Sequence, residues 1–322
     1  MVQQILRWGI LGAGKIARDY VAPGIHASAR GRIAAIASRT PGKAEALAAP
    51  YPEVRLHRDY DALLADPGID AVYIPLPNGQ HVEWTTRALE AGKHVLCEKP
   101  IALRAAEIDP LIALRDRTGR FAAEAFMVTH HPQWRRVRAL LAEGAIGRLR
   151  AVQGSFSFFN ADPGNIRNQP DLGGGALRDI GVYPVITTRF ATGAEPVSAS
   201  AEIDWEGGID ATARVRLRFP DFPLDFYVSM RMAPRQQMLF HGETGWIAVH
   251  APFNAGAYGD VVVEHRAADG IVRLERFGIV DQYRAQADAF AASALDGAPY
   301  PCPLELSRGN QVAIDMIYAA AG

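Results

Sequence analysis

The sequence predicts two α/β domains, a doubly wound parallel sheet followed by a large, mostly antiparallel sheet. Three observations predict it. Apolar runs alternate with helix-period stretches through the first 125 residues. A glycine-rich turn joins the first run to the first helix pattern. Beyond about residue 125, long alternating segments succeed one another across short turns. A length of 322 residues fits two domains. With no hinge sequence to mark it, the boundary follows the change of pattern: 1–124 for the dinucleotide-binding domain, 125–322 for a substrate-binding and oligomerisation domain.

In the first domain, strand patterns run over Ile5–Leu11, Ile33–Ser38, Ala71–Ile74, His94–Cys97 and Phe121–Ala125. Between them, Val82, Thr85, Thr86 and Leu89 share a helix face, and Gly92 follows as a stop. Ile108, Leu111, Ile112 and Arg115 repeat the spacing before Gly119, and Asp59 to Asp66 reads as a short helix ended by Pro67. Strand, helix and strand in series imply parallel pairing.

The second domain opens with a helix over Pro132–Glu143 and another after Gly173–Gly175. Strand patterns follow at Ala151–Phe158, Ser198–Trp205, Ala211–Phe219, Leu224–Met232, Gln237–His241, Trp246–His250, Val261–His265 and Ile271–Phe277. Helical patterns around Tyr283–Leu295 and Leu304–Ala320 close the chain.

Composition bounds the function. Hydrophobic residues make up 49% and charged residues 21%, which excludes disordered and disulfide-scaffold classes. A net charge of −1 leaves no excess for nucleic acid or anionic lipid. The two cysteines stand far apart with no Cys/His cluster, so no metal site is expected, and Cys97 reads as a buried strand residue. Neither a membrane span nor a secretory signal is visible, so a cytoplasmic protein is expected.

The turn Gly12-Ala13-Gly14-Lys15-Ile16-Ala17 follows a strand and opens a helix, the context that gives a G-x-G-x-x-A match its meaning. Gly12 permits the tight turn, Gly14 lets backbone approach a pyrophosphate, and Ala17 allows close helix–strand packing. The helix N-terminus then faces the anion, with Lys15 and Ile16 in its first turn. The second strand ends at Ser38-Arg39-Thr40, without the acid that binds a ribose 2′-hydroxyl in NAD-preferring sites. Ser38, Arg39 and nearby Lys43 suit a 2′-phosphate, so NADP is the expected cofactor. The alternative is that Arg39 is a solvated cation and NAD binds as well.

Only Lys15, Lys43, Lys93 and Lys99 are lysines, against thirty arginines. A lysine retained in such a chain can mark a place where arginine is chemically unsuitable, because Lys shares or loses its proton when desolvated and Arg does not; the alternative is that four lysines are too few to carry the argument. Lys99 stands where a parallel strand ends, the edge at which such sheets bind ligands. Lys93 reads as a helix-end residue without a catalytic role.

With Gly12-x-Gly14-x-x-Ala17 upstream, Leu76-Pro77-Asn78-x-x-His81 and Ala91-Gly92-Lys93-His94-Val95-Leu96-Cys97-Glu98-Lys99-Pro100 complete a pattern. The chain resembles the glucose-fructose oxidoreductase / inositol dehydrogenase (Gfo/Idh/MocA) family over essentially its whole length. Glu124-Ala125-Phe126-Met127, His131-Pro132-Gln133 and the run from Gly173 to Pro184 match most closely the branch of dihydrodiol dehydrogenases, NADP-dependent D-xylose dehydrogenases and glucose-fructose oxidoreductase. The resemblance implies a Rossmann domain, an open-faced antiparallel sheet and an active site in the cleft between them. It implies hydride transfer between NADP(H) and a carbinol or hemiacetal carbon of a sugar or cyclic diol.

By the same resemblance Tyr183 transfers the proton, Lys99 assists it, and Asp179 positions the pair or the substrate. Asp179 and Tyr183, four apart, share a helix face. A phenol titrates near 10 and needs a nearby cation to act near neutrality; the alternative for Tyr183 is an amphipathic core residue. Pro75, Asn78, His81 and Glu98 are expected at the cofactor, with Lys99. Phe126 and Arg167 are expected at the substrate, Arg167 reading equally as a surface residue. His130 and His131 lack carboxylate or thiolate company, so one is read as cleft-lining and one as structural.

Two other functions fit the same fold: a regulator that binds NAD(P) without turnover, and an NAD-assisted glycoside hydrolase. A homodimer or higher homo-oligomer through the second sheet is expected, because the alternating residues Phe156, Phe158, Val215 and Leu217 suggest apolar faces that need cover.

Overall fold

The computed structural model describes residues 4–321. The chain forms two compact units, the residues up to His130 with Asp281–Arg308, and His131–Val280 with the residues from Gly309 on.

The first unit is built on six parallel strands, β1 (Leu6–Leu11), β2 (Gly31–Ala37), β3 (Arg55–His57), β4 (Ala71–Ile74), β5 (His94–Cys97) and β6 (Ala122–Glu124). Their order is β3-β2-β1-β4-β5-β6, so the direction of winding reverses between β1 and β4. That reversal opens a crevice at the carboxyl ends of those two strands, where doubly wound sheets bind ligands. Strands β1, β2, β4 and β5 are mostly buried apolar runs because helices cover both faces.

One face packs against α3 (Tyr60–Leu64), α4 (His81–Glu90) and α5 (Ile108–Thr118) through Leu63, Trp84, Leu89, Ile108 and Leu111. The other face packs against α1 (Ala22–Ala27), α2 (Lys43–Ala48) and α8 (Gln282–Asp296). Asp59 caps α3 by accepting from Ala62 N at 2.7 Å. Gly92 and Gly119 take the positive φ that ends α4 and α5. Strand β3 has no counterpart in the sequence reading: it is three residues long and largely solvent-facing, too short for an alternation to show.

Helix α8 belongs structurally to the first unit, although the sequence division at 124/125 grouped it with the second. The Phe290 ring lies tilted 4.8 Å from Trp8 of β1 and edge-on 4.9 Å from Phe121. Asp288 accepts from Ala29 N at 2.7 Å, and Arg30 pairs with Asp296.

The second unit carries α6 (Pro132–Ala142), α7 (Val182–Thr192) and an eight-stranded sheet. Its strands are β7 (Leu149–Phe159), β8 (Ser198–Glu206), β9 (Ile209–Arg218), β10 (Pro223–Ser229), β11 (Arg231–Gly242), β12 (Gly245–Val249), β13 (Val262–Ala267) and β14 (Val272–Arg276). The order is β14-β13-β12-β11-β7-β10-β9-β8. All pairs are antiparallel except β7 with β10. The segment read as one strand over Leu224–Met232 is two: the chain breaks at buried Met230 so that β10 and β11 flank β7 on opposite sides.

The faces of this sheet differ from the expectation that exposed apolar residues call for a partner. Phe156, Val215 and Leu217 are buried, and Phe156 meets Tyr183 of α7. By register Leu224, Phe226 and Val228 share that helix-covered face. The opposite face presents Gln153, Glu202, Arg214, Arg216, Asp225, Tyr227 and Gln237, which carry both signs of charge, with Leu239 and Met232 among them. Among the described residues no helix is long and apolar enough to cross a membrane.

Candidate functional site

In the first unit the expected nucleotide residues gather where β1, β2, β4 and β5 end. Gly12 has φ +109°, and its N–H donates to Ala37 O at 2.8 Å. A Cβ there would lie 2.9 Å from Leu76 Cδ2, and one on Gly14 would lie 3.4 Å from Pro75 O. This is a cradle that side chains would fill, as close approach of a pyrophosphate requires. The helix that follows starts with Arg18 N donating to Gly14 O and widens into a π-type turn over Ala17–Val21. Lys15 is exposed, Ile16 half-buried and Ala17 buried.

At the end of β2, the Ser38 hydroxyl accepts from Thr40 N at 3.1 Å, closing the turn that presents Arg39. The Arg39 guanidinium lies 5.0 Å over the Tyr60 ring and donates to Gln80 Oε1 at 2.9 Å. No carboxylate pairs with it among the described residues, and Lys43 stands exposed at the start of α2. Gln80, which the sequence reading did not single out, sets the guanidinium's direction. These residues fit a dinucleotide.

After β5 comes Glu98-Lys99-Pro100, with a cis peptide between Lys99 and Pro100. Tyr73 Oη donates to Glu98 Oε1 at 2.6 Å, and Lys99 N donates to Glu98 Oε2 at 3.2 Å. Burial and the Glu98 charge push the Tyr73 phenol well above its ordinary value, which keeps it a donor. Asn78 and Pro75 lie half-buried in the turn after β4.

His81 corrects an expectation. It is fully buried, with Nδ1 2.7 Å from Pro100 O and Nε2 2.7 Å from Leu76 O. Each ring nitrogen faces a backbone carbonyl, so the ring lies between the turn after β4 and the turn after β5 with no exposed surface for a nicotinamide. Burial, reinforced by the Lys99 charge, holds its pKa below the usual value against the pull of the two carbonyls.

Phe126 is corrected likewise. Its side chain is fully buried, with no surface for a substrate, and its carbonyl accepts from Thr129 N and Oγ1. His130 and His131 are both buried; His131 Nδ1 caps α6 by accepting from Gln133 N at 3.2 Å. Lys93 is buried and donates to Asp66 O and Ile69 O, a structural tie. Both cysteines are free and buried, and no metal-holding cluster occurs among the described residues.

Glu124, at the end of β6, is the buried carboxyl that the reading quoted without a role. Its Oε1 accepts from Ile101 N at 2.8 Å, and Ser307 bonds to it as well. Burial raises its pKa to about 7, with Glu98 nearby adding to the rise and Lys99 opposing it.

In the second unit the structure joins Arg167 and Asp179, Nε to Oδ2 at 2.6 Å, and places the Arg167 guanidinium 5.9 Å from the centre of the Phe158 ring. Tyr183 packs between Phe156 at 5.6 Å and Phe253 at 5.5 Å. The helix carrying Asp179 and Tyr183 is widened into a π-type turn over Leu177–Gly181, so the α-helical stacking inferred from their spacing does not apply there. Asp210, missed entirely, starts this helix: its Oδ2 accepts from Leu177 N at 2.6 Å and its Oδ1 from Tyr318 Oη at 2.9 Å. A Cβ on Gly175 would overlap the Asp210 carboxylate, and one on Gly174 would come within 2.5 Å of Arg167 O. The glycine run is thus a packing requirement of the Asp179 helix.

Family models divide the chain as the structure does. One, an oxidoreductase family with an NAD-binding Rossmann fold, matches residues 6–126, and the GFO/IDH/MocA C-terminal domain matches residues 134–248. The chain belongs to the Gfo/Idh/MocA family. It is thereby an NAD(P)-dependent oxidoreductase. Its Gfo/Idh/MocA relatives include an uncharacterized oxidoreductase of Rhizobium meliloti, 41% identical over 98% of this chain and 97% of that protein. A D-xylose 1-dehydrogenase (NADP(+)) of Haloferax volcanii is 34% identical over 98% of this chain and 97% of its own. A 3-ketoreductase from Actinomadura kijaniata, solved with NADP and TDP-benzene, is 31% identical, covers 98% of each chain and gives a TM-score of 0.91.

The Glu124 value sets a pH dependence of stability. The folded carboxyl titrates near 7 and an ordinary one at 4.5, so between those values the folded state holds a proton that the unfolded chain has released. Glu124 therefore costs stability progressively from pH 4.5 to 7, on the order of a few kcal/mol. Glu124→Gln removes the titration. Its melting temperature relative to wild type is expected to rise across that window and level off above it. A difference independent of pH would contradict the assignment.

Proposed function

We propose that this oxidoreductase uses NADP to move a hydride to or from a carbinol or hemiacetal carbon of an aldose or cyclic diol. The observation that carries the reading is Glu98-Lys99-Pro100 at the carboxyl end of β5, on the same sheet edge as the glycine turn and Arg39. The D-xylose dehydrogenase relative and a dTDP-3,4-didehydro-2,6-dideoxy-alpha-D-glucose 3-reductase of Actinomadura kijaniata support it, since both names describe chemistry at a sugar carbon bearing oxygen. When bound, the nicotinamide exchanges the hydride at C4.

The chain's own residues supply the rest. Backbone from Gly12 to Ala17 holds the pyrophosphate, with Lys15 beside it. Ser38, Arg39 and Lys43 receive the 2′-phosphate, and Pro75, Asn78 and Glu98 border the nucleotide. Lys99 presents its ammonium to the substrate oxygen. In oxidation Tyr183 first gives up its own proton to solvent; the substrate hydroxyl proton then passes to the phenolate oxygen as the C–H bond yields its electron pair, and the carbon becomes a carbonyl. Asp179, held by Arg167, orients substrate hydroxyls. We further propose a homodimer through the face of the second sheet that no helix covers. That face carries both signs of charge beside Tyr227, Met232 and Leu239, so the same patch on two copies is self-complementary, as a two-fold interface requires.

Three measurements check this reading. Arg39→Ala is expected to weaken NADP binding about 10- to 150-fold, the equivalent of a charge-assisted contact of roughly 1.5–3 kcal/mol, and to leave NAD nearly unchanged. Equal losses would refute the 2′-phosphate assignment. Lys99→Met and Tyr183→Phe are each expected to lower turnover about 10²–10⁴-fold, and the double variant to be scarcely worse than the poorer single. Near wild-type turnover in Tyr183→Phe would remove the tyrosine from the chemistry. Sedimentation is expected to give a dimer mass; a monomer at every concentration would end the interface proposal.

A further inference from the structure

The turn after β5 leaves the sheet once Glu98 N has donated to Ile74 O at 3.1 Å. Two residues later, the peptide group joining Pro100 to Ile101 is held by side chains at both of its polar atoms. Its oxygen, on Pro100, lies 2.7 Å from His81 Nδ1. Its N–H, on Ile101, donates to Glu124 Oε1 at 2.8 Å. The two side chains arrive from different elements, the first residue of α4 and the last of β6. His81 is 0% and Glu124 3% exposed, so neither reaches a ligand. Burying two ionisable groups is costly unless each is hydrogen-bonded, and here both converge on one peptide, next to Lys99.

We propose that His81 and Glu124 are positioning residues that clamp the Pro100–Ile101 peptide and so fix the backbone presenting Lys99. The proposal rests on the reading of Lys99 as the group that polarises the substrate oxygen. The two sides of the clamp are not equivalent. His81 Nε2 also faces Leu76 O, and the Leu76 side chain closes on Gly12 in the nucleotide cradle. Glu124 instead has Ser307, at the start of the last helix, as its second partner. Loss of His81 therefore disturbs both the nucleotide cradle and Lys99, and loss of Glu124 disturbs Lys99 alone. Displacement by about 1 Å at a reacting group costs up to roughly 10²-fold in rate.

The experiment compares Glu124→Gln, Glu124→Asp, Glu124→Ala and His81→Ala with wild type and Lys99→Met. It reads amide hydrogen exchange at Ile101, the NADP dissociation constant by fluorescence titration, kcat and KM. Glu124→Gln keeps an acceptor at full reach and is expected to retain Ile101 protection and most of kcat. Glu124→Asp, one methylene short, and Glu124→Ala are expected to lose Ile101 protection and about 10- to 100-fold in kcat, with unchanged NADP affinity. His81→Ala is expected to lose both kcat and NADP affinity. Adding Glu124→Ala to Lys99→Met is expected to cost nothing further. Unchanged Ile101 exchange in Glu124→Asp and Glu124→Ala, or full additivity with Lys99→Met, would overturn the clamp. Wild-type turnover in Lys99→Met would overturn the reading of Lys99 itself, and Ile101 exchange still decides whether the clamp exists.

Discussion

Loops that leave the carboxyl edge of the parallel sheet carry backbone groups that no strand satisfies, and a buried polar group left unmade costs about 1–3 kcal/mol. This protein answers with side chains drawn from several elements. His81 faces the carbonyls of Leu76 and Pro100, Glu124 takes the Ile101 amide, and Glu98, fixed by Tyr73, takes the Lys99 amide. The order reversal between β1 and β4 brings the glycine turn to the same edge. The residues read as functional therefore stand on backbone held by side chains, two of which, His81 and Glu124, are buried beneath it.

The second unit uses the same device. Asp210 receives the first amide of the helix carrying Asp179 and Tyr183, and Tyr318 holds the carboxylate in place. Burial raises Asp210 to about 6, a sign of how fully it is enclosed. Gly174 and Gly175 leave the room this contact needs. Arg167 then turns Asp179 into one half of an ion pair, and Phe156 and Phe253 fix the ring of Tyr183.

What the sequence made legible was local. Strands β1, β4 and β5, the helices with glycine stops, the cofactor turn and the Lys99 motif each announce themselves within a dozen residues. What it concealed was long-range. The return of α8 to the first unit depends on Phe290 meeting Trp8, and the polar groups supporting Lys99 come from Tyr73, His81 and Glu124. His81 and Phe126 were visible as motif members, but a motif does not say which way a side chain points; both turn inward. The alternation in β7 and β9 was legible too, yet only the position of α7 shows that the apolar side is the covered one.

The central claim is that this chain transfers a hydride from a substrate carbon directly to NADP, with Lys99 as the support. The most direct measurement is mass spectrometry of the nucleotide after incubation with aldoses and cyclic diols deuterated at the carbinol or anomeric carbon. The account predicts reduced NADP carrying one deuterium with wild type, and a label rate lower by orders of magnitude with Lys99→Met. A nucleotide that binds but stays oxidised and unlabelled across the panel would contradict it and point to a sensor. Aglycone release from glycosides with no net change in the nucleotide would contradict it in favour of hydrolysis.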